Sequence, residues 1–132
     1  MKTKRLSNVS DVAAAGARAA RKAYGLESTE SRTYDAKKGS SRYEVKTARM
    51  AMPSGERGRF QIFKEQHTRL RNRDNGGSAW YVFVVLSGST AKMVRKNPAR
   101  IGQLIASRGG FRDMGHRSGP RHRLPISALF DV

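Results

Sequence analysis

The period at which apolar and polar residues alternate changes several times along the chain, and each change predicts an element. From Ser7 to Gly25, Val12, Ala15, Ala19 and Ala23 (with Tyr24) form a small-residue stripe, while Arg18, Arg21 and Lys22 point elsewhere. The spacing predicts a helix with Ser10 as its N-cap, Asp11 in its first turn and Gly25 as its stop. Side chains this small let a helix pack close against a sheet. Glu27–Ser31 reads as a polar link. Arg32–Lys37 and Ser41–Arg49 read as the strands of a hairpin that turns at Lys38-Gly39 or across Lys37–Ser40. Met50–Arg59, with Pro53, Gly55 and Gly58, reads as a flexible loop. Phe60–Phe63 is a short strand and Lys64–Arg73 a polar, basic helix.

Asp74-Asn75-Gly76-Gly77 then makes a turn into Ala79–Leu86, a continuous apolar run that suits a central strand covered on both faces. After a turn at Ser87–Thr90, Ala91–Arg95 reads as another strand. Pro98–Ser107 reads as a helix that Pro98 opens and Gly109-Gly110 closes. Phe111–Arg123 is a basic, Gly-rich segment, and Leu124–Val132 a short apolar closing segment. Met1–Leu6 is expected to be a frayed basic tail. There is no internal repeat. Helix, hairpin, helix, strand and helix together predict an α/β fold, one layered domain over residues 1–132 with a mixed central sheet flanked by helices.

Charge narrows the possible partners. The chain carries 27 Lys and Arg against 10 Asp and Glu in 132 residues, a net charge of +17. Such an excess attracts polyanions, and binding through phosphates should weaken steeply with salt. An acidic membrane is the rival surface. No run approaches the roughly 18 apolar residues needed to span a bilayer, no apolar leader is visible, and the first helix is too Ala-rich to anchor at an interface. Nucleic acid is the better partner. With no cysteine, thiolate catalysis, disulfides and Cys-based zinc sites are excluded. A cytoplasmic location is expected, or the interior of a host cell for a viral protein. His116 and His122, in the Gly/Arg-rich stretch, are expected to be solvated or to contact phosphate. His67 is expected to cap or pack a helix.

Acidic residues are scarce, so those within apolar patterns are informative. On the strand Ser41–Arg49, Tyr43, Val45 and Thr47 take one face, and Arg42, Glu44 and Lys46 the other. A hairpin loop with an even number of residues puts Asp35 opposite Arg42 and diagonally next to Glu44, whereas an odd loop would move it to the other face. Two neighbouring carboxylates repel each other unless a cation holds them. A hard ion such as Mg²⁺ suits oxygen ligands and retains waters for reaction. It can polarise a phosphoryl oxygen and acidify a bound water, while a lysine stabilises the charge that develops on phosphorus oxygens. The bland alternative is an ordinary strand-surface ion pair between Glu44 and Lys46, worth under about 1 kcal/mol.

Asp35, followed after eight residues by Glu44-Val45-Lys46, resembles the signature of the PD-(D/E)XK nuclease superfamily, whose fold is restriction-endonuclease-like. The order of leading helix, hairpin, basic helix and apolar strand is similar as well. Gly58-Arg59-Phe60-Gln61-Ile62, Glu65-Gln66-His67 and Trp80–Val85 look like stretches of small archaeal and viral nucleases of that superfamily, among them the archaeal Holliday junction resolvases. The resemblance spans Ser7–Leu86. It implies a Mg²⁺- or Mn²⁺-dependent DNA endonuclease. Asp35, Glu44 and the Val45 carbonyl would bind the metal, Lys46 would lie near the attacking water, and Gln66 would be a further active-site residue. It also implies duplex or branched DNA as the partner and a possible homodimer. Arg42, Arg59, Lys64, Arg69, Arg71 and Arg73 are assigned to the DNA backbone, since phosphate contacts position a duplex without reading its sequence. Lys92, Arg95, Lys96 and Arg112–Arg123 could extend that surface. There are two departures: Tyr34 stands where proline is common, and the first helix lacks the glutamate that resolvases carry. Either Asp11 substitutes or one metal contact is missing. The competing function is a non-catalytic, basic nucleic-acid-binding protein.

Overall fold

The computed structural model describes residues 1–6, 11–29 and 34–131. In chain order its elements are β1 (Lys2–Arg5), α1 (Val12–Tyr24), β2 (Glu27–Ser28), β3 (Ala36–Lys38), β4 (Ser41–Arg49), β5 (Arg59–Phe63), α2 (Lys64–Arg73), β6 (Ala79–Ser87), β7 (Thr90–Lys96), α3 (Pro98–Ser107) and β8 (Arg121–Pro125). A 3₁₀ turn, Ile126–Ala128, follows β8. Six strands form one sheet in the order β1-β7-β6-β4-β3-β2, and β5 and β8 form a separate antiparallel pair. The large sheet is mixed, because β4 and β6 run parallel while its other pairs are antiparallel. This is the mixed α/β architecture expected, with helices against both faces of the sheet.

The apolar run in β6 is covered on both sides, as its lack of alternation predicted. Tyr81, Phe83 and Val85 face one core, with Phe60, Ile62, Leu70, Ile101, Ile105 and Leu124 from β5, α2, α3 and β8. Val82, Val84 and Leu86 face the other, with Ala15, Ala19 and Ala20 of α1. Burial of Tyr81 and Phe83 rules them out as a stacking platform for bases. The small stripe of α1 brings it very close to the sheet. Gly16 lies so near Thr47 that a Cβ there would run into the threonine side chain.

Several elements differ from expectation. Met1–Leu6 is not a free tail, because Lys2–Arg5 pairs with β7 and takes up its outer edge. A short basic segment can do this because an edge strand needs only backbone hydrogen bonds on one side. Part of the supposed polar link, Glu27–Ser28, pairs with β3. Ser10 lies outside the described residues, and the N-cap of α1 is Asp11, whose Oδ1 accepts from the Ala14 N–H at 3.1 Å. The expected strand Arg32–Lys37 is ordered as β3 over Ala36–Lys38, with Arg32 and Thr33 outside the described residues. The basic, Gly-rich segment ends in a strand: β8 begins at Arg121 and pairs with β5, while Arg112 bridges to Arg121 on its other side. The spans Lys64–Arg73 and Pro98–Ser107 match their expected helices.

Candidate nuclease site

The hairpin of β3 and β4 turns at Gly39-Ser40, with Lys38 opposite Ser41 and Ala36 opposite Tyr43. Gly39 has φ 59° and no non-Gly residue among the described residues has a positive φ, the combination that a type II′ turn requires. The loop is even, as the shared face of Asp35 and Glu44 demanded, but it sits one residue later than expected. Each pairing therefore shifts by two residues, and it is Lys37, not Asp35, that lies opposite Arg42. The paired register ends at Ala36 opposite Tyr43. Asp35, just beyond it, donates its N–H to the Tyr43 carbonyl at 3.0 Å, one residue off the ladder, and so stands beside Glu44 outside the regular pairing.

Asp35 also reaches the edge of β4, where its Oδ2 accepts a 2.8 Å hydrogen bond from the Val45 N–H. Along a strand the N–H and C=O of one residue point to the same side, so the Val45 carbonyl shares that edge. β3 is too short to cover it. The result is a cleft of about 400 Å³ between the start of α1 and β5, lined by Asp35, Glu44, Val45, Lys46, Arg59 and Gln61 among others.

Within the cleft Glu44 is the unusual group. It is 6% exposed, on the face of β4 that looks toward α2, beside Tyr81 of β6. Burial pushes its carboxyl up to about 8; the Asp35 charge and a hydrogen bond with Asp35 push the same way, and the Lys46 charge only partly offsets them. Lys46 Nζ stands 3.7 Å from Glu44 Oε1, longer than a charge-assisted hydrogen bond. Its firmer partner is Gln66, whose Oε1 accepts from Nζ at 2.7 Å. Of the expected residues, Asp35, Glu44, Val45, Lys46 and Gln66 are thus brought to one place.

The pair fits a divalent cation. A buried carboxyl pushed toward its protonated form, with a second, exposed carboxylate beside it, is an arrangement that a cation relieves. Among the described residues no group of three or more His, Cys, Asp or Glu comes together, so a metal here would have two carboxylates, a carbonyl and water. That donor set suits Mg²⁺ or Mn²⁺ and not a closed zinc site. Asp11 spends a carboxylate oxygen on its own helix cap.

Beneath Glu44, the Tyr81 hydroxyl and His67 Nδ1 lie 2.8 Å apart. Burial raises the Tyr81 pKa, with a smaller push from the Glu44 charge. Burial lowers that of His67, helped by Arg71. His67 therefore packs as a neutral core residue. His122 was expected to be solvated or on phosphate; it is 8% exposed and its Nδ1 lies 2.9 Å from the Gly110 carbonyl. It occupies the core-facing side of β8, which alternation conceals when a strand begins inside a polar segment. His116 is exposed.

The basic residues assigned to DNA separate into groups. Arg42 donates to the Gly39 carbonyl at 2.9 Å and Arg73 to the Ser40 carbonyl at 2.7 Å, so both brace the hairpin turn. Arg69 pairs with Glu65 at 3.3 Å on the exposed surface of α2. Arg71, near Gly102, lies toward α3, and Lys64 is exposed at the start of α2. Only Arg59 of this group lines the cleft. Gln61 does so too and had not been singled out. The signal was present in Arg59-Phe60-Gln61-Ile62, where alternation puts Arg59 and Gln61 on the face opposite the buried Phe60 and Ile62.

A family model described as a PD-(D/E)XK nuclease superfamily domain matches residues 1–131. The chain belongs to the PD-(D/E)XK nuclease superfamily. This family assignment agrees with the mixed sheet flanked by three helices and makes nucleic acid the implied substrate class. The match extends well past Ser7–Leu86, the stretch on which the resemblance rested, and takes in β7, α3 and β8. No curated protein and no solved structure matched the chain. No helix among the described residues is long and apolar enough to cross a membrane.

Proposed function

We propose that this nuclease-superfamily protein is a metal-dependent DNA endonuclease whose active site is formed by Asp35, Glu44, the Val45 carbonyl, Lys46 and Gln66. The observation that carries the reading is the meeting of Asp35 and Glu44 at the open edge of β4, with Lys46 held beside them by Gln66. Asp35, Glu44 and the Val45 carbonyl would hold Mg²⁺ or Mn²⁺, and the ion would supply a polarised phosphoryl oxygen and an acidified water. Lys46 places its ammonium where charge builds on the phosphate oxygens in the transition state. Gln66 fixes that ammonium by accepting one of its protons. Arg59 brings the DNA backbone into the cleft. Hydrolysis forms a bond from water oxygen to phosphorus and breaks a phosphorus–oxygen bond of the backbone. The net positive charge concentrates the polyanion around the protein.

Purified protein incubated with supercoiled plasmid and with a four-way junction, each in Mg²⁺, Mn²⁺ or EDTA, tests this reading. Metal-dependent nicking that Glu44→Ala abolishes is the expected result. Preference for the junction would place the protein among resolvases, and paired cuts would indicate a two-fold dimer. DNA retarded on a gel but intact in every condition would instead make the protein a non-catalytic binding module.

A further inference from the structure

Beyond Arg59 lies a second recess, of about 300 Å³, lined by Arg59, Arg108, Arg112, Arg121, His122 and Arg123 with no carboxylate among its lining residues. Five guanidinium groups around one recess repel each other, and nothing in its lining offsets them. Two of the lining side chains, one arginine and the histidine, also have hydrogen-bonding capacity left over inside the protein. Arg121 Nε and His122 Nε2 are buried and without a hydrogen-bond partner. Both side chains are otherwise held in place: Arg121 Nη1 donates to Gln61 Oε1 at 2.7 Å, and His122 Nδ1 meets the Gly110 carbonyl. A carbonyl only accepts, so Nδ1 carries a proton there, and Nε2 offers a donor to an anion only when it carries one too; Arg121 Nε, always an N–H, is the donor left for a ligand. Buried polar atoms left unpaired in a folded protein call for an explanation, such as a ligand that pairs them.

The recess is continuous with the candidate active site. Arg59 lines both, and Gln61, which lines the cleft, is the acceptor for Arg121. The ribbon of β5 and β8 places Gln61 opposite Arg123, so the two sites are joined across one pair of strands. We propose that this recess is a phosphate-binding site that holds a second phosphate of the same nucleic-acid strand, apart from the one at Asp35 and Glu44. The proposal rests on the nuclease reading for its substrate and adds the point at which the strand is gripped. The phosphate is either an internal diester or a terminal 5′-monoester. Both offer the anionic oxygens that arginine recognises through paired N–H donors.

The test measures binding of a short DNA duplex labelled at its 3′ end, in EDTA, over a series of salt concentrations. Its 5′ end is either phosphorylated or hydroxyl. The proteins are wild type, Arg108→Gln, Arg112→Gln, and Lys22→Gln as an equal charge change at an exposed residue of α1; circular dichroism checks that each is folded. The recess variants are expected to bind about 10-fold more weakly, with a salt slope shallower by about one unit, while Lys22→Gln changes both less. Equal losses with both duplexes identify an internal diester, and a loss confined to the phosphorylated duplex identifies the terminal phosphate. Slopes like wild type in both recess variants, or the same loss from Lys22→Gln, overturn the proposal. Plasmid nicking by wild type in Mg²⁺, run in parallel, separates the two readings. Nicking with unchanged slopes overturns the recess alone, and reduced slopes without nicking uphold the recess while overturning the nuclease reading.

Discussion

The Asp35 carboxylate accepts a 2.8 Å hydrogen bond from the backbone N–H of Val45, ten residues further along the chain. This bond does for the end of β3 what a longer strand would do, because it ties the carboxylate to the uncovered edge of β4. It also holds a negative charge against Glu44. Asn at position 35 can keep the bond through its amide oxygen but not the charge. We expect Asp35→Asn to fold with stability within about 1 kcal/mol of wild type. Its metal-dependent cleavage should fall by more than about 100-fold, since even residues that only support a metal ligand cost 10- to 100-fold when changed. Thermal melts and plasmid nicking check the two halves. Wild-type cleavage by Asp35→Asn would remove Asp35 from the site.

Glu44 makes metal-free stability depend on pH. Its folded-state pKa of about 8 lies above the 4.5 usual for a glutamate side chain, chiefly through burial. The folded state therefore binds the proton more tightly than the unfolded chain does. Its contribution is fully present below the unfolded pKa and is lost as pH rises through the folded one. In EDTA the melting temperature should fall between about pH 5 and pH 8 by an amount that Glu44→Gln removes. Mg²⁺ should raise the melting temperature most at the alkaline end, where Glu44 no longer has to surrender a proton to bind it. A melting temperature flat with pH in EDTA would contradict the burial of the Glu44 carboxyl beside Asp35.

Lys46 and Gln66 should separate by role. Lys46→Met removes the ammonium and should slow cleavage about 100- to 1000-fold, the size seen when one stabilising donor to a transition state is lost. Gln66→Ala leaves the ammonium in place but unheld, and should cost about 10- to 100-fold. Neither variant should abolish the Mg²⁺-induced rise in melting temperature, because neither residue is an expected ligand. A lost metal response in Gln66→Ala would move Gln66 from positioning Lys46 to holding the ion.

The close approach of α1 to β4 is a packing constraint on the same cleft. Gly16→Ala drives a methyl group into Thr47 and should destabilise the fold by about 1–3 kcal/mol. Adding Thr47→Ala removes most of the colliding atoms and should recover part of that loss, a coupling of about 0.5 kcal/mol or more. Denaturant melts of the two single variants and the double variant measure it, and strict additivity would show that the helix shifts aside instead.

Much of this was legible in the chain. The helices over Lys64–Arg73 and Pro98–Ser107, and the strand at Ala79–Leu86, follow from local pattern and end signals, which act within a few residues. Glu44 and Lys46 share a face because side chains on a strand alternate, whatever surrounds them. The even loop was expected too, although it proved to be Gly39-Ser40, and Asp35 itself lies just off the paired ladder.

Tertiary structure decided the rest. Nothing local tells Lys2–Arg5 that the outer edge of β7 is open to it, or pairs Arg59–Phe63 with a strand that starts some sixty residues later at Arg121. The pairing of β5 with β8 brought Arg59 and Gln61 to the cleft, set Arg121 beside Gln61 and buried His122, which composition alone had left among solvated residues. The alternation of side chains is a property of one strand, so sequence by itself determined which residues could share a face. Which faces meet depends on hydrogen bonds and apolar contacts between segments far apart in the chain, and only the folded arrangement of this protein supplies them.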